Sequence, residues 1–75
     1  MEKLPRITAS ETIRALKKAG FYLARQSGSH KIFKNSDGKR VTIPFHRGKT
    51  IHLKVLSCIL KDADLAVEKF KELLK

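Results

Sequence analysis

Residues 20–46 read GFYLARQSGSHKIFKNSDGKRVTIPFH, and their pattern is the main indication of the fold class. After Gly20 come three short runs rich in aromatic and β-branched side chains, which favour β-strands: residues 21–26, 30–35 and 40–45. Residues 27–29 (SGS) follow the first run, and residues 35–38 (NSDG) contain the Asp-Gly pair typical of a tight turn. The stretch therefore predicts three short antiparallel strands joined as a meander.

Helical patterns flank the predicted strands on both sides. Thr8 and Glu11 have the spacing of a capping box, which predicts a helix over about residues 9–19. After the strands, apolar residues recur at helical spacing over residues 51–64, and a last helix is expected over about residues 65–74.

Helices gathered on one face of an antiparallel sheet form an α+β two-layer sandwich. The expected order is α-β-β-β-α(-α), in which the last two helices form either a hairpin or one bent helix. A chain of 75 residues can build one small core, so residues 1–75 are expected to form a single domain.

The register between the second and third strands stays open. Pairing Ile32 with Ile43 places His30 and Ile32 on the face shared with Val41 and Ile43, whereas a slip of one residue places Lys31 and Phe33 there instead. In a two-layer sheet, one of Tyr22 and Phe33 is expected to face outward, where an aromatic ring can stack on a nucleic-acid base.

The charge of the chain is strongly positive and unevenly placed. Lys and Arg number 17 against 7 Asp and Glu, which gives a formal net charge of +10. Residues 25–54 contain eight of those cations and one acid, Asp37, whereas residues 61–75 contain four cations and four acids. A basic middle segment and a neutral end predict a directed electropositive surface that binds a polyanion.

The composition argues against several classes of protein. A single cysteine, Cys58, cannot form an intramolecular disulfide, and we expect it to be a small buried residue of its helix. The histidines are not paired with acids at metal-ligand spacing and no phosphate-cradling loop is present, so neither a metal nor a cofactor is expected. No apolar run of about 18 residues exists, and the first residues carry charges, so a cytoplasmic protein with no membrane partner is expected.

The residues left for chemistry are histidines within the basic segment. His30 follows Gly28 and Ser29, where a glycine turn exposes the side chain and lets a substrate approach closely. Near neutral pH, an imidazole can take a proton from a sugar hydroxyl or give one to a leaving oxygen. With cations to hold a phosphate, these parts suffice for metal-free RNA cleavage in which the 2′-hydroxyl is the nucleophile. The plainer alternative is that His30 is a polar residue at the end of a strand.

A set of ordered motifs resembles the HicA family of toxin mRNA interferases, also described as YcfA-like proteins. In chain order they are LKKAGF at 16–21, RQSGSH at 25–30, DG at 37–38, VTIP at 41–44, HRGK at 46–49, IL at 59–60 and FKELL at 70–74. Gly-Ser-His alone is a weak motif, but the ordered set covers nearly the whole chain. The chain departs from the family at residues 63–66, which are ADLA where the family tends to have Ala-Gly-Leu-Ser.

The resemblance implies a fold like that of double-stranded-RNA-binding domains, with endoribonuclease activity on mRNA and a role in the stress response. It implies that His30 is the catalytic residue and that the partners are RNA and a HicB-like antitoxin. The second proton-transfer residue is left open between His46 and His52, with His46 favoured because a matching motif includes it. The predicted RNA- and phosphate-binding residues are Gly28, Ser29, Lys31, His46, Arg47 and Lys49.

Two other functions remain as alternatives. A non-catalytic RNA-binding module would use the same basic surface and would bind RNA with a steep salt dependence but form no product. A protein-interaction domain would bind an antitoxin at high salt and have no affinity for RNA on its own.

Overall fold

The structure, a computed structural model, describes residues 4–75. Its elements follow the expected order: α1 (Ala9–Lys18), β1 (Tyr22–Ser27), β2 (His30–Lys34), β3 (Arg40–Pro44), α2 (Leu53–Ala63) and α3 (Val67–Leu73). The three strands form one antiparallel sheet in the order β1-β2-β3. The chain is therefore an α+β protein with a three-stranded antiparallel sheet, as the sequence predicted, and the arrangement agrees with a double-stranded-RNA-binding-like fold.

The ends of α1 form where the sequence signals indicated. The Glu11 amide donates to Thr8 Oγ1 at 3.2 Å and the Thr8 amide donates to Glu11 Oε1 at 3.2 Å, so the predicted capping box is confirmed. At the other end, Gly20 takes a φ of +97° and its amide donates to the Lys17 carbonyl, while the Phe21 amide donates to the Leu16 carbonyl. This pair of bonds is a Schellman motif, and it turns the chain from α1 into the sheet.

The register of the sheet is the second of the two that the sequence allowed. Ile32 pairs with Thr42, and Lys31 pairs with Ile43, so Phe33 and Ile43 face the core. His30 and Ile32 consequently lie on the opposite face, because successive residues of a strand point to opposite sides.

One hydrophobic core lies between the sheet and the helices. Within it, α1 and α2 pack on β3, and α3 packs on α1. The core combines strand residues such as Phe33 and Val41 with residues from all three helices: Ala9, Ala15, Leu16, Leu56, Ile59, Leu60, Ala63 and Phe70.

The prediction that Cys58 is buried was wrong, because its side chain is exposed. The buried stripe of α2 consists of residues at positions i, i+3, i+4 and i+7: Leu56, Ile59, Leu60 and Ala63. Cys58 lies between the members of that stripe in sequence, and at about 100° per residue it falls on the solvent side of the helix.

The joint between α2 and α3 is a break and not a continuous helix. Asp64 takes a left-handed conformation (φ 57°, ψ 42°), and α3 begins after Ala66, whose side chain supplies no cap. Within residues 4–75, no helix has the length and apolar character needed to cross a bilayer.

Candidate functional site

The face of the sheet that points away from the helices carries His30. Because cross-strand partners share a face, this open face comprises three rows of paired residues: Tyr22, Lys34 and Arg40; Arg25, Ile32 and Thr42; and Ser27, His30 and Pro44. All of them are exposed except Ile32 and Pro44. The open face is therefore a cationic surface with His30 in its last row.

A two-residue turn places His30 at the first position of β2. Ser27 pairs with His30 across Gly28 and Ser29, and Gly28 has a φ of +58° while Ser29 does not have a positive φ. A glycine with positive φ at the first central position is the pattern of a type II′ hairpin turn, whose twist suits a two-residue connection. The turn leaves Gly28, Ser29 and His30 exposed together at one end of the sheet.

Pro44 is the neighbour of His30 on β3. The Phe45 amide donates to the Ser29 carbonyl at 2.6 Å, which makes His30 and Pro44 a pair that exchanges no hydrogen bonds between its own backbone groups. The amide that proline lacks is therefore not required on this side, and the two Cα atoms of such a pair lie only about 4.5 Å apart. Pro44 is the last residue of β3, so His30 lies next to the start of the loop that follows β3.

The loop after β3 forms a cleft beside Pro44. The Lys49 amide donates to the His46 carbonyl at 3.1 Å, and the Ile51 amide donates to the Ile7 carbonyl at 2.8 Å, so the loop is closed on itself and tied to the segment before α1. The cleft measures about 300 Å³ and is lined by Pro44, His46, Lys49, Thr50, Ile51, His52 and Val55.

The histidines of this cleft have different structural duties. His52 is the N-cap of α2, where its Nδ1 accepts a hydrogen bond from the Lys54 amide at 3.1 Å. The lone pair of Nδ1 is therefore used at the start of α2. His46 lies exposed in the turn that precedes Lys49 and has no part in capping a helix. Both imidazoles line the cleft, and His46 is the one whose ring is not occupied by the helix end.

Lys31 lies apart from the other predicted phosphate-binding residues. It pairs with Ile43 and faces the helix side of the sheet, and its Nζ lies 4.1 Å from the centroid of the Phe45 ring. This cation–π contact holds the half-buried Lys31 on the face opposite His30. Arg47 is exposed in the same turn as His46 and Lys49 but does not line the cleft.

The structure therefore arranges the predicted site residues in two neighbouring groups. Gly28, Ser29 and His30 form the first group at the β1–β2 turn, and the second group is the loop that contains His46, Arg47 and Lys49. Pro44 and Phe45 join the two groups. Such an arrangement offers the exposed imidazoles of His30 and His46 together with loop cations that can hold a phosphate, which are parts for proton transfer at a phosphodiester.

Arg25 lies on the face that carries His30, and the sequence pattern did not indicate this position. The register shifts between Leu23 and Arg25, so Ala24 is the extra residue of a β-bulge. Without the bulge, strict alternation would turn Arg25 toward the helix side. The bulge turns it to the open face opposite Ile32, and no sequence signal at Ala24 indicated this. Residues 4–75 hold no group of three or more His, Cys, Asp or Glu side chains placed to bind a metal ion.

A family model described as the HicA toxin of bacterial toxin–antitoxin systems matches residues 9–65, which is well over half of the chain and includes both groups of site residues. No curated protein matches the chain.

Proposed function

Because the chain belongs to the HicA toxin family of bacterial toxin–antitoxin systems, we propose that it is a metal-independent endoribonuclease that cleaves mRNA in the cytoplasm. The observation that carries the proposal is the position of His30. It is an exposed imidazole on a face whose three strands contain cations and no Asp or Glu, beside a glycine turn that a nucleic-acid backbone can approach.

The proposed reaction needs one proton acceptor and one proton donor. The 2′-oxygen of a ribose attacks the adjacent phosphorus, a new 2′-O–P bond forms, and the bond from phosphorus to the 5′-oxygen of the next nucleotide breaks. In this scheme His30 takes the proton from the 2′-hydroxyl or supplies one to the departing 5′-oxygen. We assign the other transfer to His46 in preference to His52, because the Nδ1 of His52 is used to cap α2.

Cations near His30 support the same proposal. Negative charge grows on the phosphate oxygens as the bond breaks, and fixed positive charges stabilise it. Lys49 and Arg47 are the proposed phosphate ligands from the loop, and the backbone amides of the exposed residues Gly28 and Ser29 are the proposed ligands from the turn. We propose that Lys31 contacts a phosphate farther from the scissile bond, because its ammonium must leave the Phe45 ring to reach a phosphate beside His30.

Family membership also implies an antitoxin partner. We propose that this partner is HicB-like and presents acidic groups to the surface around His30, because that surface is the one where cations collect without acids. Such a partner excludes RNA by occupying the residues that RNA would contact.

The test is cleavage of a single-stranded RNA oligonucleotide by the purified protein at low salt, with and without EDTA. The proposal predicts defined products, cyclic phosphate ends and equal rates in EDTA. RNA binding that weakens with salt but yields no product would support the non-catalytic RNA-binding module instead. Loss of cleavage in EDTA that returns with added metal would contradict the metal-independent mechanism.

A further inference from the structure

A large aromatic side chain stands uncovered on the open face, at the end far from His30. Tyr22 is 55% exposed, although it belongs to the sheet. Its cross-strand partner is Lys34, and the partner of Lys34 in turn is Arg40. The first row of the open face therefore places one aromatic ring and two cations side by side.

We infer that this row is a second part of the RNA-binding surface, in which Tyr22 stacks on an unpaired base and Lys34 and Arg40 bind the phosphates next to it. The inference rests on the proposed function and extends it from the cleavage site to the substrate. The ligand is a single-stranded RNA, because a base can stack on a protein ring only when it is not stacked in a duplex.

Charge complementarity identifies the occupant. The three strands contain no Asp or Glu, and the acid nearest to this row in sequence is Asp37, in the turn beyond the ends of β2 and β3. Arg25, turned to this face by the bulge, adds a cation in the next row toward His30. A ring flanked by cations along a strip without acids suits a polymer that offers both bases and phosphates.

The spacing along β2 fixes which nucleotide would reach Tyr22. His30 and Lys34 are four residues apart on β2 and on the same face, which is roughly 13 Å at about 3.3 Å per residue. The base that stacks on Tyr22 therefore belongs to a nucleotide beyond the two that flank the scissile phosphate. A dinucleotide can occupy the His30 end but cannot reach Tyr22.

The chain offers a matched control next to the proposed stacking residue. Leu23 is 46% exposed, belongs to the same edge strand and also lies outside the tightly packed core, but it pairs with Phe33 and faces the helix side. Tyr22→Ala and Leu23→Ala therefore each remove one large, exposed side chain from opposite faces of β1. Tyr22→Phe keeps the ring and removes only the hydroxyl.

The first experiment compares these three variants on a single-stranded RNA of ten nucleotides and on a dinucleotide. Tyr22→Ala is expected to weaken affinity for the ten-nucleotide RNA by roughly five- to one-hundred-fold, while Tyr22→Phe and Leu23→Ala stay within about twofold of the original protein. Cleavage of the dinucleotide is expected to be equal for all of them. Equal affinities of Tyr22→Ala and Leu23→Ala for the longer RNA would overturn the inference.

A second experiment observes Tyr22 directly. The chain has one tyrosine and no tryptophan, so its tyrosine fluorescence reports on residue 22 alone. In the His30→Ala variant, titration with the ten-nucleotide RNA is expected to quench this emission, after correction for RNA absorbance, whereas the dinucleotide leaves it unchanged. Saturated RNA binding without quenching would overturn stacking.

The outcomes separate this inference from the proposed function. If the original protein cleaves RNA and Tyr22→Ala behaves as Leu23→Ala does, cleavage stands and the stacking row fails. If the original protein neither binds nor cleaves RNA, both fail. If Tyr22→Ala leaves RNA affinity unchanged but weakens binding of a HicB-like protein, the row is a protein-docking surface and the inference is wrong.

Discussion

Replacing Gly28 by alanine tests whether the β1–β2 turn positions the proposed catalytic residue. Gly28 has a φ of +58°, and a Cβ built on it meets no atom within 4 Å, so the substitution acts through backbone conformation and not through crowding. Holding an L-residue in a conformation that suits glycine costs about 1–3 kcal/mol. Alanine also lowers the conformational entropy of the unfolded chain, which offsets about 0.4–1 kcal/mol of that cost. A net loss of about 1–2 kcal/mol is therefore expected.

Gly38→Ala is the matched control for this prediction. Gly38 has a φ of +84° with equally open space around its missing Cβ, but it lies in the turn at the opposite end of β2 from His30. Both variants should melt at lower temperature, by roughly 4–8 °C for each kcal/mol in a domain of this size. Only Gly28→Ala should lose catalysis, because relaxing that turn moves the residue directly after Ser29.

The assay is kcat for RNA cleavage at saturating substrate, measured at least about 15 °C below the lower melting temperature so that both variants remain folded. A displacement of about 1 Å can lower a rate by about a hundredfold, so a loss of at least about tenfold is expected for Gly28→Ala and less than about twofold for Gly38→Ala. Equal losses in the two variants, or full kcat in a destabilised Gly28→Ala, would refute the argument that this turn aims His30.

Two further predictions concern the α2–α3 joint and the loop cations. Asp64→Gly should stabilise the protein by about 0.5–1 kcal/mol, because glycine adopts the left-handed conformation without the steric cost of a side chain. Ala66→Ser should add about 1 kcal/mol by capping α3. Neither substitution should change cleavage, and thermal unfolding that shows no gain in stability from either would contradict this explanation of the joint. Lys49→Ala should reduce the slope of log affinity for single-stranded RNA against log salt by about 0.7. Lys61→Ala removes the same charge from the last turn of α2 and should leave that slope unchanged. Equal slopes for the two variants would contradict a phosphate contact at Lys49.

Local signals in the sequence predicted the elements well because each boundary has a residue that the backbone requires. The Thr8–Glu11 capping box begins α1, and Gly20 with its left-handed backbone ends it. The Asp-Gly turn separates β2 from β3. These signals act over three or four residues, so one sequence is enough to identify them.

The facing of side chains was not predictable, because it depends on pairing between distant residues. Ile32 and Phe33 are adjacent and both apolar, so either could have faced the core, and the sequence allowed both registers. In the structure Phe33 belongs to the main core, while Ile32 is 9% exposed and lies outside it, opposite Arg25. Ile32 is therefore buried on the open face, where its cross-strand partners are Arg25 and Thr42.

The candidate site was predictable in its residues but not in its grouping. The Gly-Ser-His turn and the segment that contains His46 and Lys49 were identified from the sequence, whereas their connection through Pro44 required the strand register. The separation of Lys31 from His30 has the same origin, because neighbours on one strand face opposite sides. The bulge at Ala24 moves Arg25 to the open face, and no residue type near Ala24 indicates a bulge.

The role of His30 in cleavage is measured by single-turnover cleavage of RNA by the His30→Ala variant, with protein in excess over RNA. His30 is exposed, so its removal should leave the melting temperature unchanged, and RNA affinity should stay within about threefold because the cations remain. A general acid–base role of His30 predicts that the cleavage rate falls by roughly two to four orders of magnitude. A His30→Ala variant that cleaves bound RNA as fast as the original protein would contradict it.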